Sequence, residues 1–174
     1  MKYFIDTEFI EHPHDRTIDL ISLGMVSEDG KTLYAECTEF DETKASPWVK
    51  ENVISQLRWC RDSDRKRWLH TFTKDSGNVR VVGPSTLIRN AIIEFVQPNP
   101  EFWGYYSSYD FVLFSWLFGT MVDLPKGWPM FCFDLRQWLN HKGLSDIKQP
   151  DDMPHNALSD AVWVYETWKK YDAT

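Results

Sequence analysis

Five residues in this chain have side chains and spacing suited to metal-assisted hydrolysis: Asp6, Glu8, Asp110, His155 and Asp160. Asp6-Thr7-Glu8 follows a short apolar run, Tyr3 to Ile5, that reads as a buried strand. Strand side chains alternate, so residues two apart leave the same face, and the two carboxylates are expected to converge at the strand's end. Neighbouring anions repel unless a proton or a cation intervenes, which makes such a pair a place where a hard divalent cation is stabilising. Near the C-terminus, His155-Asn156-Ala157-Leu158-Ser159-Asp160 leads into the helical stripe Ala161, Val162, Tyr165 and Trp168. Residues five apart on a helix are turned by about 140°, so His155 and Asp160 share a site only if His155 lies in the preceding loop. With Asn156 as N-cap, Asp160 falls in or just after the first turn, where the helix dipole favours an anion. A histidine so placed can swing over the same site and serve as a general base. Asp110 opens a helix after Trp103-Gly104-Tyr105. Each residue alone also has a plain structural use: a solvated strand terminus for Asp6 and Glu8, an N-cap acid for Asp110, a surface loop histidine for His155 and a first-turn acid for Asp160.

The elements that must bring these groups together can be read from periodicity. Asp19 to Ser27 and Lys31 to Thr38 are expected as strands joined across Glu28-Asp29-Gly30, so three antiparallel strands come first. Ser46-Pro47 marks a helix start, and Trp48, Val49, Val53, Ile54 and Leu57 recur at helical spacing over about three turns. Arg58 to Val82 mixes charge with Trp59, Trp68 and Phe72 without a clear period and is expected to be an irregular or weakly helical flap. A helix from Ser85 to about Gln97, a strand Phe102 to Tyr105 and a helix Tyr109 to Phe118 follow. A strand Met130 to Phe133, a short helix Leu135 to Leu139 and a last helix from about Ala157 complete the order. The expected architecture is α/β, one domain over residues 1–174, with a mixed five- to six-stranded sheet flanked by helices.

At 174 residues, 43% apolar and 16% aromatic, the chain can bury a full core. The longest uncharged apolar stretch, Phe111 to Val122, is well below a membrane span, and Met1-Lys2-Tyr3 opens directly into a strand-like run, so a soluble, unexported protein is expected. Cys37, Cys60 and Cys132 lie far apart, which argues for free thiols in a reducing cytoplasm and against a zinc knuckle. A net charge of −7 argues against broad electrostatic wrapping of duplex DNA. Arg58 to Arg80 is the exception, with seven Lys or Arg against three Asp. Its basic residues could contact phosphates, but the interleaved Asp62 and Asp64 favour a solvated surface.

Taken in order, Asp-x-Glu on the first strand, Asp at a middle helix and His-x-x-x-x-Asp at the last resemble the DEDDh group of 3′→5′ exonucleases, which have an RNase H-like fold. More narrowly, Asp6-Thr7-Glu8-Phe9-Ile10-Glu11, Tyr109-Asp110 and Asn156-Ala157-Leu158-Ser159-Asp160-Ala161 are similar to the bacterial RNase AS type of 3′-exoribonuclease. Many members of the wider group carry Asn shortly before the middle Asp, whereas Tyr105 to Ser108 offers none. The resemblance implies two Mg²⁺ or Mn²⁺ ions, which suit carboxylate oxygens better than zinc does. Asp6 would bridge them, with Glu8 and Asp160 on the nucleophile side and Asp110 on the other, while His155 is the general base. It also implies single-stranded RNA as substrate, cut from the 3′ end to nucleoside 5′-monophosphates, with adenosine-rich ends preferred, and a cytoplasmic homodimer. Thr7, Phe9 and Tyr105 are the expected substrate contacts, Phe9 as a wedge against the last base. A 3′→5′ exonuclease on single-stranded DNA and a catalytically silent nucleic-acid-binding module of the same fold remain alternatives.

Overall fold

The computed structural model describes residues 1–61, 67, 70–150 and 153–172. Its sheet grows from β1 (Lys2–His12), β2 (Thr17–Ser27) and β3 (Thr32–Cys37), paired antiparallel in sequence order. Gly30 adopts φ +82 in the β2–β3 turn, and its N–H donates to the Ser27 carbonyl at 2.8 Å. That is the hairpin announced by Glu28-Asp29-Gly30.

α1 (Pro47–Asn52) begins as expected, with Ser46 accepting from the Val49 N–H at 3.2 Å. It does not run three turns. At the adjacent β-branched Val53 and Ile54 the chain tightens into a 3₁₀ turn, Ile54–Gln56, before the short α2 (Arg58–Arg61). The buried Glu36 carboxylate on β3 accepts from the Arg58 N–H at 2.9 Å and so ties α2 to the sheet.

The largest departure lies in the stretch expected to be irregular. Residues 62–66, 68 and 69, which include Trp68, fall outside the described part. Beyond them, β4 (Thr71–Asp75) and β5 (Asn78–Gly83) form an antiparallel hairpin. Ser76 and Gly77 both have positive φ, the signature of a tight two-residue turn whose twist matches the strands. β5 then pairs parallel to β3. After α3 (Ser85–Phe95) come β6 (Glu101–Gly104), α4 (Ser108–Trp116), β7 (Phe133–Asp134), α5 (Leu135–His141) and α6 (Ala157–Asp172). β7 is shorter and later than the expected strand at Met130 to Phe133. The sheet has seven strands rather than five or six, in the order β4-β5-β3-β2-β1-β6-β7, with β6 parallel to β1 and to β7.

Alternation along β1 divides the molecule. Tyr3 and Ile5 enter a core with residues of α3 and α4, whereas Phe4 enters a core with residues of α5 and α6. A third cluster, including Ile10, Ile21, Val53, Ile54 and Leu57, seats the α1 region on the sheet. Asp6 and Glu8 share the parity of Phe4, and Thr7 that of Ile5. Among the described residues, no helix is long and apolar enough to cross a membrane.

Candidate active site

β1 does not end at Glu8, as its sequence implied; it continues to His12, with a register shift against β2 between Glu8 and Phe9. β6 stops instead. Its parallel pairing with β1 reaches only Phe4–Trp103, so beyond that point one edge of β1 faces a crevice at the carboxyl end of β6. Ligand sites of open α/β sheets form in such places, where a neighbouring strand turns away.

α6 closes the crevice from one face. The Asn156 side chain accepts from the Ser159 N–H at 3.2 Å, the expected cap, and sets Asp160 in the first turn. Gly24, the partner of Asp6 across the β1–β2 ladder, lets that turn come close, since a Cβ there would lie 2.2 Å from the Ala157 carbonyl oxygen. Carboxylate oxygens of Asp6, Glu8 and Asp160 consequently lie within 4.8 Å of one another. Gln149, from the loop before α6, donates to Asp160 at 2.6 Å. A cavity of about 380 Å³ opens over these groups, and His155 stands on its wall.

Asp110 arrives from the other face. It lies in the first turn of α4, is 7% exposed, and accepts from the Thr7 N–H at 2.9 Å and the Thr7 hydroxyl at 2.6 Å. Asp110 is thus not the helix cap that its position suggested; Ser107 precedes the helix. Thr7, expected to touch substrate, gives both its donors to Asp110 and is 5% exposed.

Electrostatics mark the cluster as unfinished. Burial, reinforced by the charges of Asp110, Asp160 and Glu8, pushes the Asp6 carboxyl well above the usual range. Burial and the charges of Asp160 and Asp110 raise Glu8 to about 8. Asp110 and Asp160 rise to about 6, chiefly through burial, although hydrogen bonds from Thr7 and from Asn156 oppose it. Like charges packed this way favour protons or a cation. An oxygen-only donor set at this spacing fits a hard divalent ion.

Phe9 lies beyond the carboxylates. Its ring meets the Tyr109 ring edge-on at 5.5 Å, and it lines a second cavity of about 460 Å³ with Trp48, Val49, Val53 and His155. Tyr105 packs against Tyr106 and Trp163, outside the lining of the carboxylate cavity.

Residues 1–171 match the Rv2179c-like 3′-5′ exoribonuclease domain. The chain belongs to this family. It is 35% identical over 168 residues to the 3′-5′ exoribonuclease Rv2179c of Mycobacterium tuberculosis strain H37Rv, an alignment covering 92% of this chain and 87% of that protein. The exoribonuclease MT2234.1 of strain CDC 1551 matches equally well. The protein is therefore an enzyme, a 3′→5′ exonuclease.

In this exoribonuclease-domain protein, sequence reasoning passed over Gly24, Gln149 and Trp48. Gly24 sits inside a strand, where an isolated glycine signals close backbone approach; that signal was readable. Gln149-Pro150 in an acidic loop carries no comparable sign.

Proposed function

We propose that the protein is a DEDDh-type exoribonuclease of the RNase AS kind. It removes nucleotides one at a time from a free 3′ hydroxyl of single-stranded RNA, releasing nucleoside 5′-monophosphates and favouring adenosine-rich ends. The observation that carries this reading is the convergence of Asp6, Glu8 and Asp160 within 4.8 Å, with Asp110 acting electrostatically on Asp6.

The proposed ligands of two Mg²⁺ or Mn²⁺ ions are Asp6, Glu8 and Asp160, with Asp110 completing the set. When bound, such ions would lower the pKa of an attacking water and stabilise the departing 3′ oxygen. His155, on the wall of the same cavity, takes the proton of that water. The water oxygen bonds to phosphorus, the bond to the 3′ oxygen of the preceding nucleotide breaks, and solvent protonates that oxygen. Thr7 holds Asp110 in place, and Gln149 does the same for Asp160. Phe9 faces the adjoining cavity, where an unpaired base can stack on it.

The reading extends to a cytoplasmic homodimer. The free thiols of Cys37 and Cys132 support a reducing compartment, and the exposed stripe Tyr109, Val112 and Trp116 on α4 supports an interface.

The test uses 5′-labelled RNA homopolymers, a matched DNA and a 3′-phosphorylated RNA, each with manganese and with excess chelator. A ladder shortening from the 3′ end, fastest on oligoadenosine and absent in chelator, is expected. Full activity in chelator overturns the metal reading; equal loss of RNA and DNA overturns the sugar preference, and equal rates on all homopolymers remove the adenosine preference.

A further inference from the structure

We propose that Trp48 is a positioning residue for His155, holding the imidazole at the boundary of the two cavities in the orientation that accepts the proton. The proposal rests on the reading of His155 as general base. His155 is exposed, in a segment without regular structure between Pro154 and the cap residue Asn156. That cap fixes the backbone of the segment but leaves the imidazole to rotate. The ring is packed by the Trp48 indole, with centroids 4.6 Å apart and planes crossing at 71°. An edge-to-face pair at this distance is attractive and restricts rotation of the smaller ring.

Trp48 is itself held firmly. It is the second residue of α1, whose start is pinned by the Ser46 cap, and the Asn52 amide donates to the Trp48 carbonyl at 2.9 Å. Just beyond it, Val53, Ile54 and Leu57 are buried against Ile10 and Ile21 of the sheet. The indole nevertheless remains 52% exposed and lines the aromatic cavity with Phe9 and His155. A large aromatic kept at the surface by an anchored helix, with its ring against a proposed proton acceptor, has a use beyond packing.

The use follows from charge. When His155 takes the proton from water, the imidazole becomes a cation, and the ring electrons of tryptophan attract a cation more strongly than a neutral ring. On the proposed arrangement, with the imidazole edge toward the indole face, the contact strengthens along the reaction and contributes to turnover more than to binding.

Steady-state kinetics of the full chain on 5′-labelled single-stranded RNA, with saturating Mn²⁺, test this. Trp48→Ala is expected to lower kcat on the order of tenfold, with KM within about twofold. Trp48→Phe should retain most of the rate. In a His155→Ala background, Trp48→Ala should cost nothing further, because the residue it acts through is gone. Unchanged kcat with a raised KM would make Trp48 a platform for the base and overturn the proposal, as would multiplying effects in the double variant or a Trp48→Phe as slow as Trp48→Ala. Should His155→Ala alone keep the wild-type kcat, the general-base reading fails and the proposal falls with it. Multiplying effects beside an impaired His155→Ala defeat the positioning role alone.

Discussion

Two cavities meet at His155, and they are built from opposite materials. The one of about 380 Å³ is walled by Asp6, Glu8 and Asp160, whose carboxyls are all raised by burial and by the nearby charge of Asp110. The one of about 460 Å³ is walled largely by Phe9, Ile10, Pro13, Trp48, Val49 and Val53, with Glu8 and Glu11 as its acidic members. The first is electrostatically costly as built, and a bound cation would relieve it. The second has broad apolar walls suited to a base. On the proposed reading the difference is a division of labour: chemistry beside β1 and α6, recognition beside β1 and α1, with the histidine between them serving the first and packed by the second.

The sharpest way to break that division is Asp6→Asn. Losing several kcal/mol of charge stabilisation corresponds to a fall in kcat of roughly 10³-fold or more, with RNA still retained in a filter-binding assay. Loss of RNA affinity equal to the loss of rate would show that the two cavities are not separable. His155→Ala should lower kcat at least about 10²-fold while calorimetric Mn²⁺ affinity is kept. Loss of the metal with the rate preserved would make His155 a ligand instead. Gly24→Ala drives a methyl group into the α6 backbone and should reduce stability by about 1–3 kcal/mol in a denaturant melt, with kcat falling more than KM as Asp160 is displaced. An unchanged melt would mean that the close approach of α6 and β2 is not needed. On the recognition side, Phe9→Ala should weaken RNA binding by about 1–3 kcal/mol and spare kcat.

A further effect concerns pH. Carboxyls whose pKa is raised on folding bind more protons folded than unfolded, so the stability they confer is full below about pH 4 and is lost as pH rises. Loss should run through about 6 for Asp110 and Asp160 and about 8 for Glu8 in metal-free protein, and a divalent cation should flatten the dependence. A metal-free melting temperature that climbs from pH 5 to pH 8 would contradict the assigned environments.

Much of the chemical side was legible in the sequence because it depends on short-range geometry. Two-residue alternation places Asp6 with Glu8, and a capping Asn156 places Asp160 in the first turn of α6. What escaped depends on contacts between distant segments. β4 and β5 read as irregular because Arg80, Lys74 and Asp75 interrupt the apolar alternation, although Val79 and Val81 keep it on the buried face. The length of β1 was hidden by the register shift after Glu8, which no residue type announces. The partner of Asp110 was invisible too, since Thr7 lies 103 residues away and meets it across the sheet edge. The recognition side was read thinly: Phe9 was singled out by its place after Glu8, whereas Trp48 looked like one more apolar member of a helical stripe.

The most direct measurement of the central claim, that the buried carboxylates form a divalent-cation site, is a thermal melt at pH 8 with and without Mn²⁺, run on wild type and on Asp6→Asn. A cation that binds the folded chain alone at about 100 times its dissociation constant adds about 2.7 kcal/mol. Wild type should therefore gain several degrees, while Asp6→Asn, already relieved of one buried charge, should melt above wild type without metal and gain little from it. A wild-type melt indifferent to Mn²⁺, or an Asp6→Asn protein stabilised as strongly as wild type, would contradict the claim.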